Sequence, residues 1–154
     1  TTTFKPFFKI QVVVPSASFF NSFFTAEPFN LASAGISGSL TVLSAYGAKS
    51  NGLFNDGINI SATRGTAIKA AENGVVAYAG NEVKGMGNLV IIQHDGGWMT
   101  VYAHMDTMAV RRGHKVSVGQ KIGAVGETGK VDSPQLHFEI RKGTKAYNPS
   151  SYLK

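Results

Sequence analysis

Cysteine is absent from this 154-residue chain, which excludes a disulfide scaffold, a thiolate metal site and a cysteine nucleophile in one step. Charge is scarce as well. Asp, Glu, Lys and Arg together make up 16% of the residues, and only nine are acidic. No unbroken apolar run approaches the roughly twenty residues that a membrane-spanning helix needs. A sustained 3.6-residue apolar period is also missing, so long amphipathic helices are not expected. What remains is 43% hydrophobic and carries 18 glycines. That composition suits many short strands joined by tight turns around one core.

The formal net charge of +6, with a pI near 9.7, implies attraction to something acidic. Nucleic acid is not the expected partner. The basic residues are scattered, pairing only at Arg111-Arg112 and Arg141-Lys142, and no aromatic stacking motif accompanies them. A cell-wall polymer, an anionic membrane surface or an acidic protein fits the charge equally well, and so does plain solubility.

Composition changes sharply along the chain. Eight of the ten phenylalanines lie within residues 4–29, in doublets such as Phe19-Phe20 and Phe23-Phe24, broken by Pro6, Pro15 and Pro28. Lys5, Lys9 and Ala32-Ser33-Ala34 are loosely similar to a secretory leader, but the prolines argue against one. The expectation is an apolar N-terminal arm over residues 1–37, packed against the main domain or another chain, followed by a domain over 38–154. A membrane role is expected only through an anchor outside this sequence.

From Gly38 onward the pattern is all-β. Val75 to Ala79 is a short strand ended by Gly80. The runs Leu89 to His94 and Trp98 to His104 flank Asp95-Gly96-Gly97, a strong hairpin signal. Gly65-Thr66-Ala67-Ile68 and Gly113-His114-Lys115-Val116 begin two similar runs that end near Gly80 and Gly126, which predicts two interlocking hairpin units. Period-two alternation turns Leu136, Phe138 and Ile140 towards the core, and Gln135, His137 and Glu139 to the opposite face. By the same rule Ile58 and Ile60 point inward, Asn59 points outward, and Tyr102 shares a face with His104. His94 and His114 read as surface residues.

Three segments carry a resemblance: Asn55-Asp56-Gly57-Ile58-Asn59, Tyr102-Ala103-His104 and Gln135-Leu136-His137-Phe138-Glu139. They resemble the active-site segments of LytM/lysostaphin-type zinc endopeptidases, which cut peptide cross-links in bacterial cell walls. The similarity extends over residues 38–153 through Gly85-Met86-Gly87-Asn88, Val118-Gly119-Gln120-Lys121-Ile122-Gly123 and the closing Asn148-Pro149. It implies a LytM-type β-sandwich of antiparallel hairpins, a duplicated hybrid motif. The run from Val118 is also similar to biotinyl and lipoyl carriers, but Lys84 lacks the surroundings of a carrier lysine. In the family the first segment reads His-x-x-x-Asp and the last His-x-His. Here they read Asn-x-x-x-Asn and Gln-x-His. One good zinc ligand of three would remain, because a neutral carboxamide oxygen ligates zinc poorly.

The resemblance is nearest to the NlpD/EnvC-type amidase activators, a branch that has lost its metal ligands. It implies a non-enzyme with no metal or cofactor, in the periplasm, with outer-membrane anchorage in a full-length form. Its partner would be a periplasmic zinc amidase that cleaves the bond between N-acetylmuramic acid and L-alanine during cell separation. Asn55, Asn59, Tyr102, His104, Gln135 and His137 would line the binding groove. Two alternatives stay open: a peptidoglycan-binding or structural module with no effect on an amidase, and a hydrolase with an unfamiliar metal arrangement.

Overall fold

Runs of Val, Ile, Thr and Tyr between glycines become strands almost wherever the sequence places them, because branched and aromatic side chains fit a pleated, half-buried surface. The computed structural model describes residues 11–13 and 41–152. Its early strands are β1 (Gln11–Val13), β2 (Val42–Ser44), β3 (Gly47–Ala48), β4 (Phe54–Asn55), β5 (Ile58–Ser61) and β6 (Ala67–Lys69). The central ones are β7 (Gly74–Gly80), β8 (Asn88–Gln93) and β9 (Trp98–Met108). β10 (Lys115–Val116), β11 (Lys121–Val125), β12 (Gln135–Lys142) and β13 (Lys145–Tyr147) follow. Apart from Gln11–Val13, which pairs antiparallel with β6, the Phe-rich arm expected over residues 1–37 lies outside the described residues.

Eleven of these strands form one antiparallel sheet that branches at its longest member, β9, and again at β12. The order β1-β6-β11-β9-β12-β5-β2 runs through it, while β8, β7 and β10 follow one another from β9, and β13 pairs with β12. β3 and β4 form a separate two-stranded ribbon. The expected hairpin forms, with β8 and β9 paired on either side of a 3-10 turn at Asp95–Gly97.

The two sequence repeats interlock as the pattern predicts. The first strand of each pairs with the later strand of the other: β6 with β11, and β10 with β7. The corners match as well, with Gly65 N–H donating to Val125 O and Gly113 N–H to Val76 O, both at 2.8 Å. Both glycines sit at φ near +90°, a conformation that costs other residues about 1–2 kcal/mol.

Side chains from all the branches of the sheet meet in one core, which includes Ile58, Ile60, Ile68, Val76, Ile92, Tyr102, Ile122, Leu136, Phe138 and Ile140. Alternation along β12 holds, since Leu136, Phe138 and Ile140 all belong to that core. Tyr102 and Phe138 lie opposite each other in register, with ring centroids 5.4 Å apart.

His94 departs from the sequence expectation. It is buried, with Nδ1 2.7 Å from Asn73 O and Nε2 2.7 Å from Thr100 Oγ1. Thr100 is in turn bonded to the Tyr102 hydroxyl, which accepts the Ala71 N–H. The histidine closes a buried polar chain that ends the β8–β9 hairpin, so its place after a β-run reflected a staple rather than a surface turn. His114 is exposed, as expected.

Candidate functional site

β5 and β12 are neighbours, and their register sets Asn59 directly opposite His137. Residues opposite each other across an antiparallel pair present their side chains to the same face. Asn55 joins them from the ribbon strand β4. The Asn-Asp-Gly sequence explains its pose, because Asn55 Oδ1 accepts the Gly57 N–H at 3.0 Å, a side-chain turn that asparagine favours. Gly57 packs so closely on β12 that a Cβ there would lie 2.1 Å from Phe138 O. The turn is thereby pressed onto the strand that carries His137.

The floor of the site is a chain of carboxamides. Asn55 Nδ2 donates to Ser44 Oγ at 2.9 Å and to Asn59 Oδ1 at 3.0 Å. Asn59 Nδ2 donates to Gln135 Oε1 at 2.8 Å, and Gln135 Nε2 donates to the Ser133 carbonyl at 3.1 Å. The two backbone anchors, Gly57 N–H and Ser133 O, fix which end of each amide faces which neighbour. Asn59 therefore turns its oxygen to His137, whose Nδ1 is 2.9 Å away. His137 Nε2 is 2.9 Å from Glu139 Oε1. Glu139 is 5% exposed and also accepts from Arg141 Nε at 2.6 Å. Burial alone would push the Glu139 carboxyl up, but the hydrogen bonds from His137 and Arg141 prevail and hold it low.

His104 reaches this face by a break in the strand. Strict alternation puts it on the core side with Tyr102, but its φ is +64°, unique among non-glycine residues in the described part. That left-handed turn sets its ring 6.1 Å from the His137 ring, centroid to centroid. Two loops hold it there. His104 N–H donates to Met86 O, and His104 Nδ1–H donates to Thr128 O, both at 2.9 Å. Gly87 and Gly129 let these loops touch, since a Cβ on Gly87 would lie 2.4 Å from Thr128. Burial lowers the pKa of His104, and the nearby His137 adds to the effect against the Thr128 hydrogen bond.

A groove of about 890 Å³ opens over the floor. Asn55, Asn59, Gln135 and Ser44 line its base, Leu43, Leu53 and Phe54 form an apolar lip, and Lys130 to Ser133 make the facing wall. Leu53 and Phe54 are 66% and 55% exposed. Of the six residues expected in the groove, Asn55, Asn59 and Gln135 line it. His104 and His137 stand behind the floor, 5% and 8% exposed. Tyr102 does not belong to it. Its side chain is wholly buried in the core, and burial pushes its hydroxyl up to about 12. The sequence reasoning missed the lip, although Phe54 beside Asn55 was a visible aromatic in a polar loop. It also missed Ser44 and Thr128, which carry no local signal.

The zinc that this fold implies elsewhere has no matching donor set here. Asn59 Oδ1, at the centre, already accepts from Asn55 Nδ2 and lies 2.9 Å from His137 Nδ1. The middle of the site is thus filled by carboxamides bonded to one another, and a neutral amide oxygen ligates zinc poorly. Among the described residues no three His, Cys, Asp or Glu side chains are grouped to hold a metal. A catalytic zinc requires three such ligands and an open position.

The likeness to known proteins agrees in fold and family. The chain is 47% identical over 112 residues to the murein hydrolase activator NlpD of Escherichia coli, covering 73% of this chain and 29% of that protein. It is 46% identical over 100 residues to the cell division protein DipM of Caulobacter vibrioides, covering 65% of this chain and 16% of that protein. The chain thus spans less than a third of either relative. Among solved structures it superposes on the catalytic domain of lysostaphin from Staphylococcus simulans with a TM-score of 0.68 and 28% identity. That match covers 73% of this chain and 91% of that one. The model of Peptidase family M23 matches residues 53–149, and the chain belongs to that family.

Proposed function

We propose that this chain is a non-catalytic regulator that binds a periplasmic peptidoglycan amidase and activates it during cell-wall splitting and cell separation. The observation that carries the reading is the groove floor, where carboxamides saturate one another's hydrogen bonds at positions to which the family resemblance assigns zinc ligands. A groove of that kind is a binding surface without a hydrolytic centre. Its walls suit a protein segment: Leu43, Leu53 and Phe54 offer apolar contact, while Lys49 and Lys130 offer charge to an acidic side chain or a carbonyl. Similarity to relatives named as a murein hydrolase activator and a cell division protein supports the process. Relatives named as lipoproteins support a periplasmic, outer-membrane-anchored location.

Activation needs only differential affinity. If the groove binds the amidase's open state a hundredfold better than its closed state, the balance between them moves by about 2.8 kcal/mol. The direct test is a titration of the chain against a purified periplasmic zinc amidase, repeated with Asn59→Ala and with Leu53→Ala. The reading expects saturable binding that both substitutions weaken. Binding to peptidoglycan sacculi with none to the amidase would instead favour a wall-binding module.

A further inference from the structure

We infer that Glu139 is a positioning residue, which acts through His137 and Arg141 to hold both the groove floor and its lip in place. The inference rests on the groove being the binding site proposed above, and it adds a residue that does not itself touch the groove. Glu139 lies on the same face of β12 as Gln135 and His137 but is absent from the groove lining. Its two carboxylate oxygens are divided. Oε1 meets His137 Nε2 at 2.9 Å, and Oε2 accepts from Arg141 Nε at 2.6 Å.

Each oxygen begins a branch. Through the first, the His137 ring is held with Nδ1 2.9 Å from Asn59 Oδ1, on the amide whose NH2 meets Gln135. Through the second, Arg141 is aimed at Asp56, whose Oδ2 is 3.2 Å from Arg141 Nη2. Asp56 follows Asn55 in the chain, and Asn55 donates back to Asn59. The branches therefore close a ring: Asn59, His137, Glu139, Arg141, Asp56, Asn55 and Asn59 again. Phe54, at the lip, is the next residue along the same turn.

The Glu139 carboxylate has no N–H to offer, so His137 Nε2 and Arg141 Nε face a pure acceptor. Both side chains are anchored on that one buried carboxylate. A neutral amide at 139 can either donate or accept, and the constraint is lost while the shape stays nearly the same.

The test is Glu139→Gln, with Asp56→Ala as a milder second variant that opens the ring at its exposed corner. Two readouts are taken on the full chain: the side-chain amide 15N–1H resonances of Asn55, Asn59 and Gln135, and affinity for the amidase. We expect Glu139→Gln to shift or broaden all three amide resonances, and amidase affinity to fall roughly tenfold, the scale of one positioned hydrogen bond. Asp56→Ala should shift the backbone resonances of Phe54 to Gly57 while the chain stays folded. Unmoved amide resonances in a folded Glu139→Gln chain would overturn the inference, whatever the amidase result. Shifted resonances in a chain whose wild type binds no amidase would retain the ring and overturn the functional reading instead.

Discussion

Asn59 Oδ1 lies 2.9 Å from His137 Nδ1, directly across the paired strands β5 and β12. This contact places a neutral amide oxygen, a poor zinc ligand, at the centre of the site. Changing Asn55→His and Asn59→Asp together should restore two ligand types but not a working peptidase. Gln135 remains in place of a basic group able to take a proton, since a carboxamide does not serve as a general base. The check is cleavage of a cross-linked peptide by the double variant with added zinc, and zinc-dependent turnover would contradict it.

Tyr102 provides a contrast between core and groove. Its hydroxyl accepts the Ala71 N–H at 2.9 Å and pairs with Thr100 at 2.9 Å, wholly out of water. Tyr102→Phe leaves the Ala71 N–H without that acceptor, at a cost of about 1–3 kcal/mol. Denaturant unfolding should show that loss, and amidase affinity should stay within about twofold, an amount below most interface effects. A large loss of affinity at unchanged stability would return Tyr102 to the groove.

Much of this was legible in the sequence for a physical reason. Alternation in Gln135 to Ile140 placed three side chains in the core and three on the opposite face, and the Asp95-Gly96-Gly97 turn fixed the hairpin beside it. Both signals are local. The failures came where local periodicity stops being the governing rule. One left-handed residue, His104, reversed the face of its own side chain and so separated it from Tyr102. His94 was misplaced because its partners, Asn73 and Thr100, come from different loops and strands. The apolar lip depends on how the β3–β4 ribbon sits over β5, which no single segment encodes.

Acid should weaken the fold before the carboxylates titrate. Burial lowers the pKa of both His94 and His104 below the ordinary 6.5. The unfolded chain then takes up these protons first as pH falls, so the stability they contribute is intact above about pH 6.5 and drains away below it, towards their folded values. Glu139, held below its ordinary 4.5, adds a second loss at lower pH. Thermal midpoints measured from pH 7.5 to 5.0 should decline, and more shallowly in His94→Gln. A flat wild-type profile would contradict the burial of the two histidines as a stability term.

The lip should matter for binding and not for folding. Leu53 and Phe54 are mostly exposed, and the aromatic contact of Phe54 is an edge-on approach to Tyr46 at 5.2 Å. Truncating both to Ala should leave the unfolding free energy within about 0.5 kcal/mol of wild type, as for ordinary surface changes. Amidase affinity should fall by about 2 kcal/mol or more, the range of an interface anchor. Equal affinities in a calorimetric titration would remove the lip from the binding surface.

The central claim is that the chain activates without cutting, and dye release from labelled peptidoglycan sacculi tests it most directly. Three reactions are compared: a periplasmic zinc amidase alone, this chain alone, and the two together. The account predicts release well above the amidase's own level only from the combination, with this chain alone silent. Release by this chain alone, or an amidase rate that the chain leaves unchanged, would contradict it.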